Sequence, residues 1–317
     1  MKPRVFLPEP ISTAGIELLR PTMECVAPWM SNETDLPVND VGLQGFDAVV
    51  VRLFKITRET LENSDRLKVV AKHGVGVDNI DLQAAVDHGI PVVYTPQANS
   101  NAVAEHTIAL LLGLARKIGP ASTAVSSGRF SDRSQFQGVE LSGKTLGVVG
   151  LGRIGSTVAR IAAHGLSMRV IGYDPFVSTG DDDPVAERTD DVTQLFGQSD
   201  FLTFHVPLTE ETRHLVNRDR LAQVKPTCQI INTSRGGIVD EAALVEALNA
   251  GNLAGAALDV FDVEPIPADH PLCRAPNILL TPHISSSTQE SLDRMAIDAA
   301  HGVLDVLAGR TPKFPVP

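Results

Sequence analysis

Eleven residues, Thr145 to Gly155 (Thr-Leu-Gly-Val-Val-Gly-Leu-Gly-Arg-Ile-Gly), restrict what this chain can fold into more than any other stretch. A β-type apolar run, Thr145 to Val149, leads straight into Gly150, Gly152 and Gly155 in a Gly-x-Gly-x-x-Gly spacing. The pattern that follows predicts a helix over Arg153 to His164 and a second strand over Arg169 to Tyr173. Asp174 ends that strand, 19 positions after Gly155. Strand, glycine turn, helix, strand and acid is the order that a dinucleotide site requires. The first glycine permits the tight turn, the second lets backbone approach a pyrophosphate, and the third lets helix and strand pack closely. The helix N-terminus offers free N–H groups to the anion.

Asp174 also bears on which dinucleotide. Its carboxylate can accept hydrogen bonds from both ribose hydroxyls and would repel a 2′-phosphate. No Arg or Lys follows to offset it: the next residues are Pro175, Phe176 and Val177, and Asp181, Asp182 and Asp183 add negative charge. NAD is favoured over NADP, and the remaining reading is a solvated turn after a strand.

Outward from the glycine loop, strands and helices alternate in both directions. Before it lie strands at Val5 to Leu7, Ala48 to Val51, Lys68 to Ala71 and Pro91 to Tyr94. Helices are expected near Ser12 to Leu19, Arg58 to Asn63 and Asp81 to His88. After the loop come strands at Asp200 to His205, Gln229 to Asn232, Gly255 to Leu258 and Ile278 to Leu280. Helices are expected from a turn at Thr209 onward and over Asp240 to Ala250 and Gln289 to Leu307. A dinucleotide fold normally begins at its glycine strand, so the earlier strands are assigned to a second sheet. A chain of 317 residues also exceeds the usual size of one core. The expected fold is therefore α/β, with two Rossmann-like domains built on parallel sheets. Residues 1–98 plus 288–317 form one domain, flavodoxin-like, into which the cofactor domain, 99–287, is inserted. A long helix, Ala102 to Ile118, is a plausible crossover. Gly119 to Gly138 is polar, Ser-rich and weakly periodic, and reads as a loop, a linker or an arm that meets a second subunit.

The net charge of −11 argues against general binding of nucleic acid or anionic membrane, though not against a local basic pocket for a small anion. No apolar run reaches the length of a membrane span, and the N-terminus does not read as a signal peptide. Cys25, Cys228 and Cys273 follow no CxxC spacing, so they are read as separate reduced thiols in a cytoplasmic protein with no metal site.

Three strand ends carry groups suited to chemistry on a small acid. Asn232-Thr-Ser-Arg235-Gly-Gly237 offers an arginine that can hold a carboxylate bidentately, although a surface turn ahead of a helix would use the same residues. Asp259-Val-Phe-Asp-Val-Glu264-Pro265 is acid-rich, as solvated loops often are. Thr281-Pro-His283-Ile-Ser285 places a histidine after an apolar run, where it suits either an acid–base role or a cap. Together they make one mechanism for reducing a 2-keto acid. His283 donates the proton to the carbonyl oxygen, Glu264 orients and stabilises the imidazolium, and Arg235 binds the carboxylate.

The ordered runs His73-Gly-Val-Gly-Val-Asp-Asn-Ile-Asp81, Asn99-Ser-Asn-Ala-Val-Ala-Glu-His106, the glycine loop, His205-Val-Pro-Leu-Thr209, Asn232 to Asp240, Ala257 to Pro265 and Thr281-Pro-His-Ile284 span nearly the whole chain. They resemble the D-isomer-specific 2-hydroxyacid dehydrogenase family, and within it the phosphoglycerate dehydrogenase branch without a regulatory domain. The resemblance implies that Arg235, Glu264 and His283 carry catalysis, and that Val75 and Gly76 hold the substrate carboxylate through backbone N–H groups. It implies that Arg153, Ile154 and Asp174 serve the NAD pyrophosphate and ribose, and that Val206, Pro207, Thr233, Ser234 and Asp259 line the adenine and nicotinamide ends. It also implies a homodimer. Glu264 disfavours formate, since the related formate dehydrogenases carry glutamine there.

The chain departs from the phosphoglycerate pattern in its first domain. Arg52 is followed by bulky Leu53 and Phe54, and Lys72-His73 replaces an arginine followed by a small residue. Basic groups remain at Arg52 and Lys72, which keeps an anionic tail (phosphate or sulfonate) open while making 3-phosphoglycerate itself doubtful. Ser285 to Ser287 replace the usual Gly-Ala after the histidine. The expected partner is a small anionic 2-hydroxy or 2-keto acid. The competing class is a nucleotide-sensing binding protein or co-repressor of the same fold.

Overall fold

A computed structural model of the protein describes residues 2–30, 43–177 and 187–316; the acidic run at 181–183 lies outside them. The chain forms two compact units, Met1–Asn99 with Ser287–Pro317, and Ser100–Ser286.

The first unit holds β1 (Arg4–Phe6), α1 (Thr13–Leu19), β2 (Glu24–Val26), β3 (Ala48–Val51), α2 (Arg58–Glu62), β4 (Val69–Lys72), α3 (Leu82–Asp87) and β5 (Val92–Val93). Its five strands are all parallel, in the order β2-β1-β3-β4-β5. Val5, Ala48, Val50, Val69, Ala71 and Val93 face one core, while Phe6, Val49, Val51, Val70 and Val92 face the other. This period-two split buries both faces, which is why the strands read as unbroken Val/Ala runs. The C-terminal helix, Gln289–Leu307, covers the first face with Ala299, Ala300 and Val303. Its neighbour α1 approaches so closely that a Cβ on Gly15 would meet the Ala296 carbonyl oxygen at 2.5 Å.

The second unit opens with α4 (Ser100–Ala115) and α5 (Ile118–Ser126). There follow β6 (Thr145–Val149), α6 (Arg153–Arg160), β7 (Arg169–Tyr173), β8 (Glu187–Arg188), α7 (Val192–Gln198), β9 (Phe201–Phe204), α8 (Arg218–Leu221), β10 (Gln229–Asn232), α9 (Glu241–Asn249), β11 (Gly255–Leu258) and β12 (Ile278–Leu280). The seven parallel strands lie in the order β12-β11-β10-β9-β6-β7-β8. The order reverses between β6 and β9, the place where open α/β sheets bind their ligands. Leu146, Val148, Phe201 and Ile231 fill the core on one face, and Val149, Leu202, Phe204 and Ile230 fill that on the other.

Several local readings are corrected. The stretch 119–138 is not simply a loop: α5 continues the long helix after a break at Lys117, whose φ of 53° ends α4, and a 3-10 turn covers Phe130–Phe136. Weak periodicity hid this helix because Ala124 is the only residue it buries. The helix read as Arg153 to His164 is regular only to Arg160 and finishes as a π-turn over Ile161–Gly165. After Thr209 the chain is mostly turns, with one short helix capped by Asn217, whose side chain accepts from the Arg220 N–H. No single described helix is long and apolar enough to cross a membrane.

Candidate active site

Because every strand of the second unit is parallel, the loops after β6, β9, β10, β11 and β12 emerge at one edge of one sheet. Gly150, Gly152, Arg153, Ile154, Gly155, Asp174, Val206, Pro207, Thr233, Ser234, Arg235, Asp259, Glu264 and His283 all lie on or beside the loops of this edge.

The glycine loop is shaped by contacts that only glycine tolerates. Gly150 has φ of +88°, and a Cβ there would meet the His205 carbonyl oxygen at 2.5 Å, so the loops after β6 and β9 touch backbone to backbone. A Cβ on Gly155 would overlap the Gly150 carbonyl oxygen, which ties the helix to the turn. Gly152 differs: a Cβ there would meet nothing within 4 Å. No protein contact requires that glycine, so its bareness suits a ligand lying against the loop. The start of α6 has no side-chain cap, as an anion-receiving helix needs. Asp174 is anchored without being used up. Its Oδ2 accepts from the Leu151 N–H at 2.8 Å and its Oδ1 from the Phe176 N–H at 2.9 Å, leaving lone pairs for ribose hydroxyls. These features fit a dinucleotide.

The loops that carry the three catalytic candidates pack against one another. Asn232 fixes the first loop: its Oδ1 accepts from the Ser234 N–H and its Nδ2 donates to the Arg235 carbonyl oxygen. Arg235 donates through Nη1 to the Ser234 carbonyl oxygen at 2.7 Å. A Cβ on Gly236 would overlap the Phe261 carbonyl, so this loop lies flat against the one that carries Glu264. Glu264 accepts from the Phe261 N–H through Oε1 at 2.9 Å, and its Oε2 lies 2.6 Å from Nδ1 of His283. With Nδ1 held by a carboxylate, Nε2 is the nitrogen left for chemistry. Burial pushes the Glu264 carboxyl upward, but the hydrogen bonds from His283 and Phe261 outweigh it and hold it below the usual carboxylate range.

His283 sits at φ of 51°, a left-handed conformation that a non-glycine residue keeps only when its surroundings enforce it. Asp259, fully buried, supplies the enforcement. The His283 N–H donates to the Asp259 backbone oxygen at 2.8 Å. The Asp259 carboxylate accepts from Thr281 Oγ1 at 2.5 Å and from the Ile284 and Ser285 N–H groups at 2.9 and 2.8 Å. Asp259, expected to line the cofactor, also has its carboxylate bonded to the loop that presents His283.

Sequence reasoning gave α4 no part in this site, yet two of its adjacent residues brace it. Thr107 gives its proton to the Val103 carbonyl oxygen, so the 2.8 Å contact with Thr233 Oγ1 is donated by Thr233. His106 Nε2 lies 3.2 Å from Thr281 Oγ1 and 3.6 Å from Asp259 Oδ1. The available signal was a histidine–threonine pair just before the apolar run Ile108 to Ala115.

In the first unit, Arg52 follows β3, Lys72 ends β4, and Val75 and Gly76 come after β4. Lys72 is buried, and its ammonium donates to the Arg52 carbonyl oxygen and, at 2.5 Å, to Asn79 Oδ1. Arg52 donates through Nη1 to the Pro10 carbonyl oxygen at 3.1 Å. Glu9 went unnoticed in the sequence. Its Oε2 accepts from the successive N–H groups of Arg52, Leu53 and Phe54 at 2.7, 2.9 and 2.9 Å. His73 is buried with both ring nitrogens lacking a hydrogen bond, and burial lowers its pKa to about 4. Val75 and Gly76 are half-buried in the turn that begins at Gly74, which is pinned by the Thr95 hydroxyl. Among the described residues no group of three or more His, Cys, Asp or Glu side chains could hold a metal.

Residues 108–285 match the model of the D-isomer specific 2-hydroxyacid dehydrogenase NAD-binding domain. The chain is 41% identical over 307 residues to a D-3-phosphoglycerate dehydrogenase of Synechocystis, covering 96% of this chain and 54% of that protein. It is 38% identical over 322 residues to a glyoxylate reductase of Thermofilum pendens, covering 98% and 93%. The chain thus spans little more than half of the first relative and nearly all of the second. Among solved structures it is similar to an NADPH-dependent glyoxylate/hydroxypyruvate reductase of Sinorhizobium meliloti, in complex with NADP and malonate. That match has a TM-score of 0.87 and 29% identity, and covers 100% of this chain and 97% of that one.

Proposed function

Because the chain belongs to the D-isomer specific 2-hydroxyacid dehydrogenase family, we propose that it interconverts a small 2-hydroxy acid and its 2-keto acid with NAD, using His283 as acid and base. The observation that carries this reading is the Glu264–His283 pair at 2.6 Å, set on the same sheet edge as the glycine loop. When bound, the reduced nicotinamide supplies the hydride that goes to the carbonyl carbon. His283 gives the proton to the carbonyl oxygen from Nε2, and Glu264 stabilises the imidazolium before that transfer. In the oxidation the same nitrogen takes the hydroxyl proton. Arg235 holds the carboxylate and polarises the keto oxygen, with the Val75 and Gly76 N–H groups as further carboxylate donors.

NAD is the cofactor in this reading because Asp174 places a carboxylate at the end of β7, where a 2′-phosphate would be repelled. The substrate is of the glycerate/glyoxylate, phosphoglycerate or sulfolactate kind, and Arg52 is the cation for a second anionic group. Lys72 supports the Arg52 loop through its bond to the Arg52 carbonyl oxygen. We take the working form to be a cytoplasmic homodimer, with exposed Ile118, Val125 and Phe130 of the 118–136 helical arm as the apolar surface that a second copy would cover.

The test is NADH consumption followed at 340 nm with glyoxylate, hydroxypyruvate, phosphohydroxypyruvate and sulfopyruvate. Turnover of at least one, with NADH preferred over NADPH, is the expected result. NADH binding with no turnover of any would replace the enzyme by a cofactor-sensing protein.

A further inference from the structure

The proton arrangement around Asp259 assigns a role to a residue that the reaction above does not use. Oδ1 of Asp259 already accepts two hydrogen bonds, from Thr281 Oγ1 and from the Ile284 N–H. A carboxylate oxygen has two lone pairs, so this one is full. His106 Nε2 lies 3.6 Å from it, too far for a hydrogen bond, and 3.2 Å from Thr281 Oγ1. Since the Thr281 proton is committed to Asp259, its oxygen can only accept, and His106 must carry its proton on Nε2. The result is a directed chain: His106 Nε2–H to Thr281 Oγ–H to Asp259 Oδ1, on the carboxylate that holds the Ile284 N–H through Oδ1 and the Ser285 N–H through Oδ2. Each donor strengthens the next by polarising it.

We propose that His106 is a positioning residue for the hydride-transfer reaction, fixing the Thr281 hydroxyl and hence the Asp259 carboxylate that clamps the His283 loop. The proposal rests on the dehydrogenase reading for its kinetic consequence. It also makes sense of α4, whose next residue, Thr107, receives a hydrogen bond from Thr233 on the Arg235 loop. One helix thus steadies both loops that carry the reacting groups. A clamp of this kind is needed because His283 must stay in a left-handed conformation, and small displacements of a proton donor are costly. A misplacement of about 1 Å lowers rates by roughly 10²-fold.

The test compares His106→Leu with His106→Gln, whose side-chain amide can still donate to Thr281. His106→Leu should lower kcat by about tenfold or more, short of the ~10² of full misplacement, while the NADH dissociation constant stays within about twofold. His106→Gln should recover most of the loss. Hydrogen exchange at the Ile284 and Ser285 amides should quicken in the Leu variant and not in the Gln variant. Thr281→Val should reproduce the defect and Thr281→Ser should not, and this pair decides the matter if His106→Leu fails to fold. A kcat unchanged in His106→Leu, or a Gln variant as impaired as Leu, overturns the proposal. If the parent protein reduces no 2-keto acid, the dehydrogenase reading falls. The amide-exchange comparison still decides whether His106 holds the clamp, and unchanged exchange refutes it.

Discussion

Both sheets end in a histidine and a glutamate on strand-end loops, and the two pairs are connected in opposite ways. In the seven-stranded sheet, Glu264 gives one oxygen to the Phe261 N–H and the other to His283 Nδ1. In the five-stranded sheet, Glu9 gives its carboxylate to three successive peptide N–H groups, and His73 is buried with no hydrogen bond on either nitrogen. The first arrangement leaves His283 Nε2 open for the proton transfer proposed above, because the carboxylate occupies Nδ1. The second leaves an uncharged imidazole at the strand end, because burial disfavours its charged form, while the glutamate serves the backbone. The same two residue types therefore report chemistry or architecture according to what each one faces.

The largest effect should come from breaking the first pair. His283→Ala is expected to lower turnover by roughly 10²–10⁴-fold, the range for losing a general acid, with NADH binding retained. His73→Leu should leave turnover far nearer that of the parent, since a neutral buried ring has no proton to give near pH 7. Steady-state rates and NADH fluorescence titrations measure both. A His73→Leu loss as large as that of His283→Ala would erase the distinction between the two sheets.

The second pair should show itself in stability against pH. The folded pKa of His73 lies near 4, below its ordinary value of 6.5, so the unfolded chain binds the proton first as the solution is acidified. Stability from this group is complete above about pH 6.5 and falls as pH drops from there toward 4, by roughly 2–3 kcal/mol at pH 4.5. His73→Leu should remove that loss. Melting the parent and the variant at pH 7.5 and 4.5 compares the two directly. Equal sensitivity to acid in both would show that His73 is not the group excluded from protonation.

How far these differences could be read beforehand follows from how local each signal is. The strand–turn–helix at Thr145 to Arg160 and the C-terminal helix from Gln289 carry their periodicity, glycines and caps within a few residues, so the sequence displays them. The edge strands β2 and β8 are three and two residues long and only partly buried, so they leave no apolar run to notice. The roles of Glu9 and His106 are longer-range still. Glu9 meets residues 43 to 45 positions away, and His106 meets Thr281 across 175 positions. No spacing rule links such residues; only the strand order brings their loops together. Arg235, Glu264 and His283 stood out as candidates because reaction chemistry names the residue types it needs. Their supports, which need only a donor or an acceptor in the right place, have no such signature.

The opposite ends of the two sheets supply a control, because there the two units use the same device. Asp47 precedes β3 and Asp200 precedes β9, the strands next to β1 and β6. Each carboxylate accepts the first N–H of that neighbouring strand, from Arg4 or Thr145, at 2.9 Å, and each pairs with a lysine, Lys68 or Lys225. Burial raises both carboxyls, but these hydrogen bonds outweigh it and leave both below the ordinary value of 3.8. Neither group is near reacting atoms, so Asp47→Ala and Asp200→Ala should each cost stability alone, about 1–3 kcal/mol for the strand N–H left unpaired. Asp47 should cost more, with its side chain 2% exposed against 22% for Asp200. Because both folded pKa values are depressed, this contribution is present above the ordinary carboxyl range and is lost as pH falls through the folded values. Chemical unfolding at pH 7 should therefore separate each variant from the parent, and the gap should narrow in strong acid. A loss of turnover in folded Asp200→Ala without one in Asp47→Ala would show that the reacting edge of the larger sheet depends on its far end. The symmetry between the two sheets would then be only one of shape.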